Sequence, residues 1–154
     1  MSVPMPIRWP ALLALFSLLG LTACGATDGA AYKIDGRSDM AISVIREQNW
    51  MWSNWEVSIV VARQPDCMRR HHVKPVSKDV LFKVELYRSL EGGYILRQGK
   101  RWYVTETAQC QLQKFDTPPA EPGDLVGTFI DKDGELQFKP AEPTDTPIPP
   151  QASR

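Results

Sequence analysis

The densest collection of chemically capable side chains in the sequence is Pro65-Asp-Cys-Met-Arg-Arg-His-His-Val-Lys-Pro75, which holds both histidines together with Asp66, Cys67 and Met68. Imidazole, thiolate and thioether are ligands for copper or zinc. Three features stand against a metal. A closed zinc site takes four ligands, and the histidines and cysteines present fall short of a set without carboxylates. Adjacent His71 and His72 tend to point apart, and Arg69 and Arg70 repel a cation. The expectation is therefore no metal and no cofactor. The same segment also supplies Arg69, Arg70 and Lys74, beside histidines that charge near an ordinary pKa of about 6.5. Such a basic loop could meet the phosphates of lipid head groups or lipopolysaccharide, or an acidic partner protein. The plainer alternative is a solvated loop whose arginines pair with nearby acids.

Trp50, Trp52 and Trp55 form a second concentration. Aromatic platforms bind sugars and make hot spots in protein interfaces. In a sheet, Trp55 faces the core, while Trp50 and Trp52 share one side of a connecting loop, as a hydrophobic lid or as a binding surface. The candidate binding residues are thus Trp50, Trp52, Arg69, Arg70, His71 and His72. No catalytic residue is nominated: there is no Gly-x-Ser-x-Gly, no phosphate-binding glycine loop and no His-Glu-x-x-His.

The amino-terminal residues specify where such a surface would work. Arg8 is the one charged side chain of Met1–Pro10, and an uncharged apolar run, Ala11–Gly20, follows. That is the layout of a secretory signal; the stretch Ile7–Ala23, interrupted by Arg8 and Pro10, is short for a membrane-spanning helix, which needs roughly 20 apolar residues. The run ends in Leu21-Thr22-Ala23-Cys24-Gly25, which resembles the lipobox of bacterial lipoproteins. The resemblance implies diacylglycerol on the Cys24 thiol, cleavage of the Ala23–Cys24 bond and acylation of the new amino group. Two or three acyl chains anchor a protein stably where one does not. In Gram-negative lipoproteins, Asp after the cysteine commonly retains the protein in the inner membrane. Gly25 stands here, so the expectation for a Gram-negative source is the periplasmic face of the outer membrane.

Processing after Ala23 leaves 131 of 154 residues, enough for one domain with its own core. Those residues carry 17 basic and 18 acidic side chains once Arg8 is removed, a balance that barely constrains partners but does not resemble the clustered basic excess of a nucleic-acid protein. With Cys24 acylated, Cys67 and Cys110 remain. Outside the cytoplasm a lone pair of thiols oxidises to one structural disulfide.

Period-two patterns place the strands. Met40–Gln48 and Trp55–Arg63 pair as a hairpin across residues 49–54, with Trp55, Val57, Ile59 and Val61 on one face. Tyr94–Glu106 forms a second hairpin turning at Gln98-Gly99-Lys100. Leu125–Ile130 and Glu135–Phe138 form a third around Asp131–Gly134, whose place in the main sheet the sequence leaves open. Asp79–Arg88 alternates as a strand, with a helix near 78–91 as the alternative. The expected organisation is a signal peptide over 1–23, a flexible Gly/Ala tether over 24–37, a single β-rich domain over 38–139 and a Pro-rich disordered tail over 140–154. The fold class is all-β, a small antiparallel sandwich or half-open barrel; the alternative is α+β with that one helix.

Together these readings describe a lipid-anchored envelope lipoprotein acting as a non-enzymatic binding or assembly module. Its partners are the membrane, through lipid on Cys24, and an envelope protein or glycan, with no nucleic acid. It resembles small proteobacterial envelope lipoproteins, a resemblance that implies location rather than activity. An alternative is an inhibitor of a cell-wall hydrolase: Gly93-Tyr94 followed by Trp102-Tyr103 resembles the hairpin of membrane-bound lysozyme inhibitors. The Ser-Gly that starts their hairpin is missing, so no inhibitory residue is carried over. An envelope enzyme is the third reading.

Overall fold

The computed structural model describes residues 25–142. The signal segment, Cys24 and all but the first residues of the tail lie outside that range. Ten strands form: β1 Ala26–Lys33, β2 Met40–Gln48, β3 Trp55–Arg63, β4 Cys67–Val76, β5 Lys83–Arg88, β6 Tyr94–Gln98, β7 Arg101–Glu106, β8 Gln111–Lys114, β9 Asp124–Lys132 and β10 Glu135–Pro140. They build two antiparallel sheets, β1-β2-β3-β4 and β10-β9-β5-β6-β7-β8. The all-β expectation holds, as two facing sheets without closure into a barrel.

The core lies between the sheets. Ile42 and Val44 of β2 and Val57, Ile59 and Val61 of β3 meet Val84, Leu86, Tyr94, Leu96, Tyr103, Phe129 and Leu136 of the larger sheet. Alternate residues of each strand supply this layer, as the pleat requires. A bulge between Trp55 and Val57 adjusts the register of β3 against β4.

Three hairpins follow the sequence pattern. β2 and β3 pair across 49–54, with Ile42 opposite Val61 and Val44 opposite Ile59. β6 and β7 turn tightly at Gly99, whose φ of 60° explains the glycine. β9 and β10 turn at Asp133-Gly134, and β9 pairs with β5, which places this hairpin in the larger sheet.

Three expectations are corrected. The tether over 24–37 gives way to β1 and a single 3-10 turn at Ile34–Gly36; β1 pairs with β2 along its whole length, from Ala26 opposite Gln48 to Lys33 opposite Ala41. Pairing with β2 orders this segment, and Ala30 and Tyr32, at alternate positions, pack against the core, Tyr32 beside Tyr94 and Phe138. Residues 67–76 are an edge strand rather than a basic loop. Its charged residues and Pro75 tolerate, and protect, an edge that pairs on one side only. The helical alternative near 78–91 does not form. Ser77 instead holds a short turn, with Val80 N–H donating to its carbonyl at 3.2 Å, and β5 starts at Lys83. Phe82, Val84 and Leu86 then face the core in alternation. At the other end of the described chain, Pro140 closes β10 and Ala141 N–H donates to Val126 O.

Side chains tie the two sheets at both margins. Cys67 at the start of β4 is disulfide-bonded to Cys110 in the β7–β8 turn, and His71 Nε2 lies 2.8 Å from Cys110 O. Gln98 of β6 donates to Lys74 O of β4 at 2.9 Å. At the opposite margin, Arg46 of β2 reaches Asp131 and Gly134 O of the β9–β10 turn.

Candidate functional site

The strand directions gather one set of segments at one end of the sandwich. Ala26 opens β1 opposite Gln48, so residue 25 lies at the closing end of β2. The 49–54 loop, the β4–β5 connection, the β6–β7 turn and the β9–β10 turn share that end. The cross-sheet bonds from Gln98 to Lys74 and from Arg46 to Gly134 fix this arrangement.

The 49–54 loop is ordered by its own polar groups. Ser53 N–H donates to Trp50 O at 2.9 Å, Trp50 N–H donates to Ser53 Oγ at 3.3 Å, and Gln48 Nε2 donates to Ser53 O at 2.7 Å. The loop's apolar side chains are left to solvent. Trp50, Met51 and Trp52 are 70%, 69% and 71% exposed. Trp50 and Trp52 therefore cover no core, which removes the lid reading. Val80 and Leu81 at the same end are also exposed, at 60% and 65%. With Trp55 and Phe82 they border an open cleft that reaches Arg46 and Asp131.

Beneath that surface Arg46 is 1% exposed. It sits on the inward series Ile42, Val44, Arg46, so the pleat drives a guanidinium into the core. Asp131 and Asp28 pair with it, Asp28 at 2.9 Å, and its guanidinium lies 4.3 Å from the centre of the Trp55 ring. A buried charge is tolerable only when paired and hydrogen-bonded; both terminal nitrogens of Arg46 find acceptors, from the two sheets, while its buried Nε has none. The hydrogen bond from Arg46 holds the Asp131 carboxyl below the ordinary carboxylate range, against the opposing effect of burial.

The remaining sequence-nominated residues lie elsewhere and do not form one surface with the tryptophans. Arg70 and His72 point from the outer face of the smaller sheet. Arg70 pairs with Glu47 at 2.7 Å, and His72 Nδ1 meets Ser58 Oγ at 3.1 Å. Arg69 and His71 take the alternate positions, with His71 engaged by Cys110 O. The adjacent histidines do point apart. Ser58 and His72 make the contact of a nucleophile and a base, but activation also needs a third group to orient the imidazole; none is recorded among the described residues. Nor do three or more His, Cys, Asp or Glu side chains converge as metal ligands among the described residues.

Gly93 and Trp102 flank two core tyrosines, since Tyr94 and Tyr103 are 5% and 4% exposed. Trp102 itself belongs to a cluster on the outer face of the larger sheet that sequence reasoning missed. There Tyr87 packs 5.9 Å from Trp102, and the Arg97 guanidinium lies over the Trp102 ring at 5.2 Å. Glu85 accepts from Tyr87 at 2.9 Å and pairs with Lys83 at 2.7 Å and Arg97 at 3.4 Å. Burial opposes the charged form of Glu85, but these hydrogen bonds and cations outweigh it and lower its pKa. The cluster satisfies itself and braces β5, β6 and β7 by cross-strand pairing. Sequence reasoning also missed Met51, Val80 and Leu81 as surface residues; adjacent Val80 and Leu81 break the alternation before β5, which is the signal that could have found them.

No protein-family model matches the chain, and no curated protein or solved structure matches it.

Proposed function

We propose that this protein is a lipid-anchored lipoprotein of the bacterial envelope that acts as a non-enzymatic binding or assembly module. The lipobox-like Leu21-Thr22-Ala23-Cys24 supports the anchor, and one structural observation carries the rest. Gly25 leads directly into β1, whose pairing with β2 starts at Ala26. One residue spans at most about 3.6 Å. Lipid on Cys24 therefore attaches to the end of an ordered strand, with almost no slack, rather than to a flexible leash.

A strand of nine residues is about 30 Å long. An anchor at the Gly25 end holds the opposite end of the sandwich away from the bilayer. That distal end includes the β3–β4 turn, the Cys110 turn and the β5–β6 turn, where Leu90 is 80% exposed. The distal end and the outer face around Arg70 and His72 are the surfaces offered to an envelope protein or glycan. For a Gram-negative source, Gly25 and Ala26 after the cysteine favour the periplasmic face of the outer membrane.

The test is in-cell crosslinking from a photoreactive residue placed at His72 or Leu90, with mass spectrometry of the adducts. One dominant protein or glycan adduct is expected. Adducts that are diffuse from both positions, under conditions where the protein is abundant and membrane-bound, would overturn the binding-module reading.

A further inference from the structure

We propose that the Trp50–Trp52 loop, together with Val80 and Leu81, inserts into the interfacial region of the same leaflet that holds the acyl chains on Cys24, so that the domain stands on the membrane in a fixed orientation. The inference rests on the lipid-anchor reading for its location, while the docking surface is a separate observation.

Five of the eight exposed large apolar side chains of the described residues lie at one end, while Met68, Leu90 and Leu125 lie at the other. Trp50, Met51 and Trp52 extend from the loop that closes β2, and Val80 and Leu81 from the connection that follows β4, at the same end. Exposed apolar side chains gathered at one end of a domain mark a site of contact. The question of what covers it is answered by where the chain goes. A Cβ placed on Gly25 would lie 3.2 Å from Gln48 O and 3.9 Å from Asn49 Cα, so residue 25 is packed against the first residue of the tryptophan loop. Cys24 precedes it in the chain. Acyl chains attached there would enter the bilayer near the tryptophan loop, because Gly25 alone separates Cys24 from the paired strand β1.

The residue types suit this occupant. Tryptophan is enriched at membrane–water interfaces, where its ring is apolar and its indole N–H remains hydrated. Met51, Val80 and Leu81 supply apolar depth, and exposed Arg101, after the β6–β7 turn, lines a cleft with Val80 and Leu81 from which it can meet lipid phosphates. A core-covering role is excluded by the exposure of all five apolar side chains. The loop's internal hydrogen bonds through Ser53 fix it before contact, so insertion orders little new chain.

The experiment uses the full chain purified from membranes and reconstituted into phosphatidylethanolamine–phosphatidylglycerol vesicles, with and without bromine on the acyl chains. Bromine quenches tryptophan only on close approach. Once Trp9 is removed with the signal segment, four tryptophans remain, of which Trp50 and Trp52 are the two in this loop. Brominated lipid should quench roughly half of the emission if both indoles reside at the interface, and a Trp50→Ser/Trp52→Ser variant should abolish the quenching. Equal emission from the two vesicle types by acylated, vesicle-bound protein would overturn docking and leave the anchor standing. Quenching that persists in the double variant would also overturn it. The intact mass of the same sample reports acylation separately. Unacylated mature protein that is still quenched through Trp50 and Trp52 would retain the docking surface while rejecting the anchor.

Discussion

Replacing Arg46 with alanine removes a buried cation that joins both sheets at their β1–β10 margin. Its guanidinium pairs with Asp28 and Asp131, donates to Gly134 O at 3.0 Å and lies over Trp55. Breaking a buried ion pair by deleting one partner typically costs 3–5 kcal/mol, because the other charge is left uncompensated. Here Asp28 and Asp131 keep about a quarter of their side-chain exposure, 26% and 28%, so water relieves part of the penalty. The expected loss is therefore about 3 kcal/mol, at the lower end of that range. At this chain length such a loss lowers Tm by roughly 12 °C. Arg46→Lys should recover only part of it, since a single ammonium cannot fork between two carboxylates and a carbonyl. Urea unfolding of the oxidised protein, followed by circular dichroism, measures the change. An Arg46→Ala variant within 1 kcal/mol of the parent would refute the reasoning, because the cluster would then contribute little more than an exposed pair. The pH dependence gives a second reading of the same cluster. Asp131 titrates lower in the folded than in the unfolded protein. Its contribution is therefore complete above the ordinary carboxylate pKa of about 3.9 and is lost as pH falls through the lowered folded value. The Arg46→Ala variant should lose that portion of the acid sensitivity.

Further outcomes follow from the margins and the turns. Cys67→Ser/Cys110→Ser opens a loop of 43-residue separation, with an expected cost of about 4 kcal/mol in the chain-entropy model; unfolding midpoints of oxidised and variant protein measure it, and a loss below 1 kcal/mol would contradict the cross-sheet role. Gly127→Ala places a Cβ 2.4 Å from the Phe138 ring and 2.6 Å from Lys139 O. It should destabilise β10 by about 1–3 kcal/mol through overpacking, with faster amide exchange at Phe138 and Lys139 as the readout. Arg70→Glu, by contrast, disturbs one exposed pair with Glu47 and should shift stability by less than about 1 kcal/mol. A larger shift in thermal melting would assign Arg70 a structural role.

The parts legible in the sequence were those in which local pattern and tertiary burial agree. Val57, Ile59 and Val61 alternate and are buried; Gly99 marks a tight turn and has the positive φ that such a turn uses. β1 was hidden because Ala26-Thr-Asp-Gly-Ala-Ala carries almost no hydrophobic period. Its order comes from pairing with β2 and from Asp28, which bonds to Arg46 and accepts from Leu136 N–H far along the chain. β4 was hidden for the opposite reason: two arginines, two histidines and a lysine conceal a strand that forms at an edge, where charge is useful. Arg46 was readable in principle, as the third member of the inward series from Ile42, but the identity of its partners depends on long-range folding. The Trp50 and Trp52 loop was visible by composition, whereas its company with Val80, Leu81 and Gly25 arises only when strands from distant parts of the chain turn at one end.

The central claim is that the residue before this ordered domain carries the membrane anchor. Intact-mass analysis of the protein extracted from membranes, with fragmentation of its amino-terminal peptide, tests it most directly. The account predicts a mature chain that begins at Cys24 and bears a diacylglycerol on its thiol, with a Cys24→Ser variant that is neither acylated nor cut before residue 24. A mature amino terminus elsewhere, or an unmodified Cys24 in the membrane-extracted protein, would contradict it.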